Sequence, residues 1–339
     1  MTSRIENIIK SNYNFSDIKN FRQEHLGGLM NENYSFESSH KKYFVKLYKH
    51  YTESKVVISH ALIKHLTQKG VSSYEFVENK YGSTSTKADN HPFEISVFIT
   101  DVQNGINFDI SETLVKEMAQ GLADYHLTVS DITLPIDFVN VFDPQNTKKD
   151  FLHIKEKIIQ IGVLDDFDRL CMEMLDLKLR LIEEIPTFLI NIKLDKFPIL
   201  VNHGDFLTGN CLFNNNQKIK YIIDFEHIVN TYRIWDLIKM SAFLSRKNKH
   251  EIFHSEISID LLAYCLKQYH HKNPLTLEEI EALPSLYVTA SVLSDFVLYG
   301  YYLADNPKAK SVASKDKAEW TWWIDNHDLV RTKIHKELL

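Results

Sequence analysis

The stretch His203-Gly204-Asp205-Phe206-Leu207-Thr208-Gly209-Asn210, followed downstream by Ile223-Asp224-Phe225-Glu226, decides the fold. It sits in a β-rich island. Ile199-Leu200-Val201 runs into the histidine, and Asn210-Cys211-Leu212-Phe213 leads through Asn214-Asn215-Asn216 to Tyr221-Ile222-Ile223. The asparagine run is a turn signal, so the flanking apolar runs predict a short hairpin. The four-residue spacer keeps Asp205 close to Asn210, and the hairpin return brings Asp224 opposite them. Most of the surrounding sequence has helical spacing. A β island there makes little sense as a packing device and good sense as a platform for polar groups.

Upstream the texture is mixed. Residues 4 to 10 suit a short helix. Phe21 to His50 reads as strands with turns: Leu26-Gly27-Gly28 marks a tight turn, Glu37 to Lys42 a hairpin tip, and Tyr43-Phe44-Val45-Lys46-Leu47-Tyr48 a strand. Residues 54 to 69 place Val57, Ala61, Leu62 and Leu66 on helical spacing, and Gly70 ends the run. Residues 93 to 99 read as another strand. After Asp101 the pattern turns helical, over residues 112 to 128, 150 to 184, 253 to 271, 277 to 282 and 284 to 305. The change near Thr100 to Gly105 marks a hinge. It predicts an α+β chain with a smaller β-rich N-lobe over residues 1–102 and a larger, mostly helical C-lobe over 103–339.

Composition bounds the function. The chain has 339 residues, 44% of them hydrophobic and 25% charged, enough for a sizeable core. A net charge of −6 argues against a general nucleic-acid binder. Three cysteines without a C-x-x-C pair give no disulfide framework or cysteine zinc site, which fits a reducing cytoplasm. The N-terminus shows no continuous apolar core of a signal peptide. Leu283 to Ala304 is interrupted by Ser285, Ser291, Ser294 and Asp295, so it reads as a buried helix and no membrane partner is expected.

The island's residue types suit phosphoryl transfer. That reaction needs a carboxylate to take the proton of an attacking hydroxyl. It also needs an amide oxygen and a second carboxylate to hold Mg²⁺ against the phosphates of ATP, and a lysine to neutralise phosphate charge. Asp205 suits the base, Asn210 and Asp224 the metal ligands, and Lys46 the phosphate lysine. The competing readings are ordinary. Asp205 and Asn210 could serve a solvated turn, and Lys46 could snorkel at a sheet edge. The correct placement of Asp224 favours the chemical reading. Glu226 stays open between a second metal contact and a structural acid. The aromatic residues Tyr287, Phe296, Tyr299, Tyr301, Tyr302, Trp320, Trp322 and Trp323 could cage a cationic substrate, but core packing is favoured for most of them.

With H-G-D-x4-N followed by I-D-F-E, the sequence resembles the aminoglycoside phosphotransferase and choline kinase-like family, a branch of the protein-kinase-like fold. Asp236-Leu237 matches a downstream family position that holds the catalytic loop. Gly28, Glu32-Asn33, Lys46 and Leu66-Thr67-Gln68-Lys69-Gly70 resemble the homoserine kinase-like branch, and Leu122-Ala123-Asp124-Tyr125-His126 looks like the family's L-A-x-L-H helix. Two departures stand out. Ser59 lies where the family often carries a helix glutamate that pairs with the strand lysine, with Glu53 the only nearby acid. The phosphate loop also lacks a full G-x-G-x-x-G.

The resemblance implies a bilobal protein-kinase-like fold and an ATP- and Mg-dependent kinase acting on a small-molecule hydroxyl. His203 braces the loop. Gly28 covers the phosphates, the backbone around Thr100 and Val102 binds adenine, and Leu212 and Ile223 line the nucleotide site. An amine-bearing acceptor is expected, with an aminated antibiotic ahead of an amino alcohol such as homoserine, choline or ethanolamine. A protein kinase is disfavoured, because Asp224-Phe225-Glu226 replaces D-F-G.

Overall fold

A computed structural model describes residues 2–24, 31–246, 257–304 and 307–339. The first elements are α1 (Thr2–Asn12), β1 (Lys19–Glu24), β2 (Asn31–Ser38), β3 (Lys41–Tyr48), α2 (Glu53–Gln68), β4 (Ser85–Ala88), β5 (His91–Val97) and β6 (Gln103–Asn104). There follow α3 (Glu112–Thr128), α4 (Pro144–Ile161), α5 (Asp166–Leu189), β7 (Ile199–Asn202), β8 (Cys211–Phe213), β9 (Ile219–Ile222) and β10 (Val229–Tyr232). The chain ends with α6 (Ile234–Leu244), α7 (Ile259–Lys272), α8 (Leu277–Leu293), α9 (Phe296–Tyr302), α10 (Ala313–Asp325) and α11 (His327–Leu338).

The chain forms two compact units that no single cut separates. One comprises residues 1–108, 128–136 and 203–228; the other comprises 109–127, 137–202 and 229–339. The island joins the first unit for identifiable reasons. Strand β6 pairs with β8 through Gln103↔Phe213 and Asn104↔Leu212, and the Ile222 amide donates to the Ser72 carbonyl at 3.0 Å.

In the first unit an antiparallel sheet has strand order β1-β2-β3-β5-β4. Successive strand residues face opposite sides. Val45, Leu47, Phe93 and Ile95 turn to one face and pack with Ile5, Ile9 and Tyr13, which the helical spacing of α1 delivers together. Lys46, Tyr48 and Glu94 therefore share the other face. Helix α2 meets that face, since His60 reaches Glu94. The β2–β3 hairpin turns on Ser39 and His40, both at positive φ, inside the hairpin tip that the sequence indicates.

The helical unit corrects two sequence readings. The single run over 150–184 is two helices, α4 and α5. Gly162 at φ +81° ends the first, and Asp165 and Asp168 form a reciprocal capping box that starts the second. The expected break between residues 282 and 284 is absent, because α8 runs through it and through Pro284. Pro284 is buried along with Leu283, Leu286, Tyr287 and Val288, and this burial outweighs the roughly 3 kcal/mol a mid-helix proline costs. The helix ends nearer Ser294, where the fully buried Lys178 ammonium donates to the carbonyls of Ser291, Val292 and Ser294 at 2.9, 3.2 and 2.8 Å. It satisfies carbonyls that a helix end leaves unpaired. Of the residues predicted for 253 to 271, those before 257 lie outside the described residues. The stretch Leu277–Tyr302 is long and apolar enough to cross a membrane, but it is two helices and is 61% buried. Of the C-terminal aromatics, Tyr287, Tyr302, Trp320 and Trp323 are buried, with Tyr287 stacked on Trp323 at 4.5 Å, Tyr301 and Trp322 are half-buried, and Phe296 and Tyr299 are exposed.

A buried ion pair pins this unit. Arg233 forks onto Glu279, Nε to Oε1 at 2.8 Å and Nη2 to Oε2 at 2.5 Å, and its Nη1 donates to Asn273. Removing one partner strands a charge in the interior. Glu279→Ala is expected to cost about 3–5 kcal/mol in denaturant unfolding; a loss below about 1 kcal/mol would show the pair to be dispensable.

Candidate active site

The loop after β7 is shaped by one glycine. Gly204 holds φ +79°, and a β-carbon there would lie 1.9 Å from the His227 carbonyl oxygen. Left-handed backbone costs other residues about 1–2 kcal/mol, and the clash adds to that. Gly204→Ala should therefore displace the loop, lowering both the unfolding midpoint and turnover; an unchanged pair of values would contradict this geometry. On either side of the glycine, the buried His203 ties two chain segments. Its Nε2 donates to the Ile223 carbonyl at 3.0 Å, and its Nδ1 accepts from the Asp205 amide at 3.3 Å. These partners fix the neutral tautomer with hydrogen on Nε2.

Asp205 and Asn210 meet as their spacing predicts. The Asn210 side-chain amide donates to the Asp205 carbonyl and to Asp205 Oδ2, both at 2.8 Å. With both amide hydrogens so engaged, the side-chain oxygen is the end able to bind a cation. The Ile223 amide donates to the Asn210 carbonyl at 2.9 Å, which sets Asn210 beside the residue preceding Asp224.

Asp224 leaves β9 in the left-handed conformation, φ +68° and ψ +60°. A non-glycine residue held there costs about 1–3 kcal/mol and recurs at functional sites. The Lys46 ammonium lies 2.6 Å from Asp224 Oδ1 and 3.3 Å from Glu226 Oε2. Glu226 also accepts from the Asn31 side-chain amide at 2.5 Å. Burial alone would push the Lys46 ammonium down, but the charges of Asp224 and Glu226 outweigh it and hold it above the ordinary lysine range. Burial likewise works against the Asp224 carboxylate, yet Lys46 holds it below its usual value. Glu226 moves the other way, raised by burial. One ammonium thus serves two crowded carboxylates.

The donor set fits Mg²⁺. Asp224, Glu226 and the Asn210 side-chain oxygen are hard oxygen ligands, and Mg²⁺ commonly binds through one or two carboxylates with phosphates and water completing its shell. No group of three or more His, Cys, Asp or Glu side chains suited to a metal occurs among the described residues.

The other predicted residues are placed as follows. Gly28 lies outside the described residues. Thr100 and Val102 occupy the irregular segment between β5 and β6, with Thr100 exposed. Leu212 lies on β8 and Ile223 follows β9, both half-buried. Asp236 belongs to the helical unit, buried 3.8 Å from His126 Nε2. Neither helix candidate engages Lys46. Ser59 turns its hydroxyl to the Val56 carbonyl, and Glu53 pairs with Lys87 at 2.8 Å. Two residues near the cluster escaped the sequence reading. Asn31 stands beside the noted Glu32-Asn33 pair. Glu94 is a charged residue in a strand, and only sheet register shows it opposite Lys46.

The cluster brings two acidic side chains, the Asp205–Asn210 pair and the half-buried Lys46 together in one unit. The chain matches the phosphotransferase enzyme family (APH) over residues 22–272 and belongs to it; it is a small-molecule kinase with a protein-kinase-like fold. Solved structures similar to the chain include a spectinomycin phosphotransferase in complex with ADP and spectinomycin. It is 18% identical with a TM-score of 0.64, covering 100% of this chain and 99% of that one. A choline kinase from Cryptosporidium parvum Iowa II is 13% identical with a TM-score of 0.66, covering 100% and 99%. A microcompartment-associated aminopropanol kinase is 13% identical with a TM-score of 0.67, covering 98% and 99%. At these identities the likeness shows the fold. No curated protein sequence matches the chain.

Proposed function

We propose that the protein transfers the γ-phosphoryl group of ATP, in the presence of Mg²⁺, to a hydroxyl of an amine-bearing small molecule in the cytoplasm. The observation that carries this reading is the gathering of Asp205, Asn210, Asp224 and Lys46 in one compact unit. Asp205 accepts the proton of the acceptor hydroxyl as its oxygen bonds to the γ-phosphorus and the bond to the β,γ-bridging oxygen of ADP breaks. Asn210 holds Asp205 by two hydrogen bonds, so the carboxylate is oriented before the acceptor arrives. His203 steadies the same loop against Ile223. Lys46 offers its charge to the phosphates. Bound Mg²⁺ would neutralise charge on the transferring phosphoryl group; Asn210, Asp224 and Glu226 are the residues to hold it. Gly28, Thr100, Val102, Leu212 and Ile223 complete the proposed nucleotide site, and Asp236 supports the loop.

For the acceptor we favour an aminated antibiotic. Supporting this, a chain of the same fold and length was solved with ADP and spectinomycin. An amino alcohol is the second reading, favoured by the fold shared with choline and aminopropanol kinases. Expression in a susceptible host across an aminated-antibiotic panel separates them. Protection, with phosphorylated drug recovered, supports the first reading. No protection, together with ATP turnover on choline, ethanolamine or homoserine, supports the second.

A further inference from the structure

The family resemblance leaves a gap at Lys46, and the sheet fills it. We infer that Glu94 is the residue that positions Lys46, taking from β5 the role that a helix glutamate would otherwise play from α2. The inference rests on the reading of Lys46 as the phosphate lysine.

The register places Lys46 on β3 directly opposite Glu94 on β5. Directly opposed residues of an antiparallel pair share a face, with β-carbons about 4.5–5.5 Å apart. Glu94 is 2% exposed, so water does little to stabilise its charge. Side chains around it fix the carboxylate instead, Tyr74 among them. Tyr48 Oη donates to Oε2 at 2.8 Å, and His60 Nε2 meets the same oxygen at 2.6 Å. His60 is anchored in turn by its Nδ1, 2.6 Å from Thr84 Oγ1. Helix α2 thus reaches the strand lysine indirectly. Its histidine holds the glutamate that stands opposite the lysine.

The position where α2 would supply an acid is vacated. Beside Ser59 lies a cavity of about 50 Å³, lined by residues including Tyr48, Tyr51, Val56 and Glu226. The need for another anion follows from the site's chemistry. Lys46 is paired with Asp224 and Glu226, the same carboxylates a bound cation would occupy. A buried ammonium that loses its anions is costly. Glu94 remains, directly opposite Lys46 in the register of β3 and β5.

The test uses the full chain and slow MgATP hydrolysis, with water as the acceptor, beside binding of a non-hydrolysable ATP analogue with Mg²⁺. Glu94→Gln is expected to lower kcat at least tenfold while analogue affinity changes less than threefold. Adding Ser59→Glu to Glu94→Gln, which puts a carboxylate into the cavity, is expected to recover several-fold of the loss. Unchanged kcat in Glu94→Gln overturns the inference, and so does a loss that Ser59→Glu leaves untouched, because that marks a packing defect. If Glu94→Gln does not fold, Glu94→Asp replaces it: the shorter arm should lower kcat with analogue binding retained, and unchanged kcat again overturns the inference. Lys46→Met runs alongside. If it retains turnover, the reading of Lys46 itself fails. If it is inactive while Glu94→Gln is not, only the role of Glu94 fails.

Discussion

Asp205→Asn is expected to reduce turnover by about 10² to 10⁴, the range contributed by a positioned general base. The substitution is isosteric, and an asparagine oxygen can still accept from Asn210, so the two bonds that order the loop are retained. The His203 brace acts on the backbone amide of residue 205 and is also untouched. The folded population and the KM for ATP should therefore change little, and the loss should fall on kcat. Steady-state ADP release with thermal unfolding alongside reads both. A variant with wild-type kcat would remove Asp205 from the chemistry; one that unfolds early would assign it a structural role instead.

The second large effect is expected at Asp224. Asparagine tolerates the left-handed backbone of this position better than most residues, so Asp224→Asn removes charge while keeping the turn. Lys46 keeps Glu226 at 3.3 Å, which limits the loss of stability. The proposed cation site loses a ligand. Polarisation by a bound cation supplies several kcal/mol of transition-state stabilisation, so turnover should fall roughly a thousandfold. The Mg²⁺ concentration for half-maximal activity should rise steeply in a titration. An unchanged Mg²⁺ dependence would take Asp224 out of the metal site.

The site was legible where chemistry fixes residue types at short spacings. Asp205 and Asn210 sit on one loop, and a hairpin return to Asp224 can be inferred from an asparagine run. Lys46 was read from its place on a strand before a helix and far upstream of the Asp205 loop. Glu94 was not. A glutamate alternating with apolar neighbours looks like the solvent face of a strand, and its partners Tyr48, His60 and Lys46 come from two other elements. Asn31 met its partner Glu226 across a far longer separation. The helices show the same division. Residues 112 to 128 have clear periodicity and form α3. Helices α4 and α5 share a nearly continuous apolar pattern, which concealed the turn at Gly162. At Pro284 a local breaker lost to burial on all sides, and at Ser294 a lysine distant in sequence ended the helix. Strand β10 and helix α6 were not read at all; β10 is defined by its pairing with β7.

The most direct test of the account measures ADP release from MgATP against pooled aminated antibiotics and amino alcohols, with wild type and Asp205→Asn side by side. The account predicts acceptor-dependent release in the wild type that requires Mg²⁺ and falls at least a hundredfold in the variant. Equal release by the two proteins, or release that persists without a divalent cation, would contradict it.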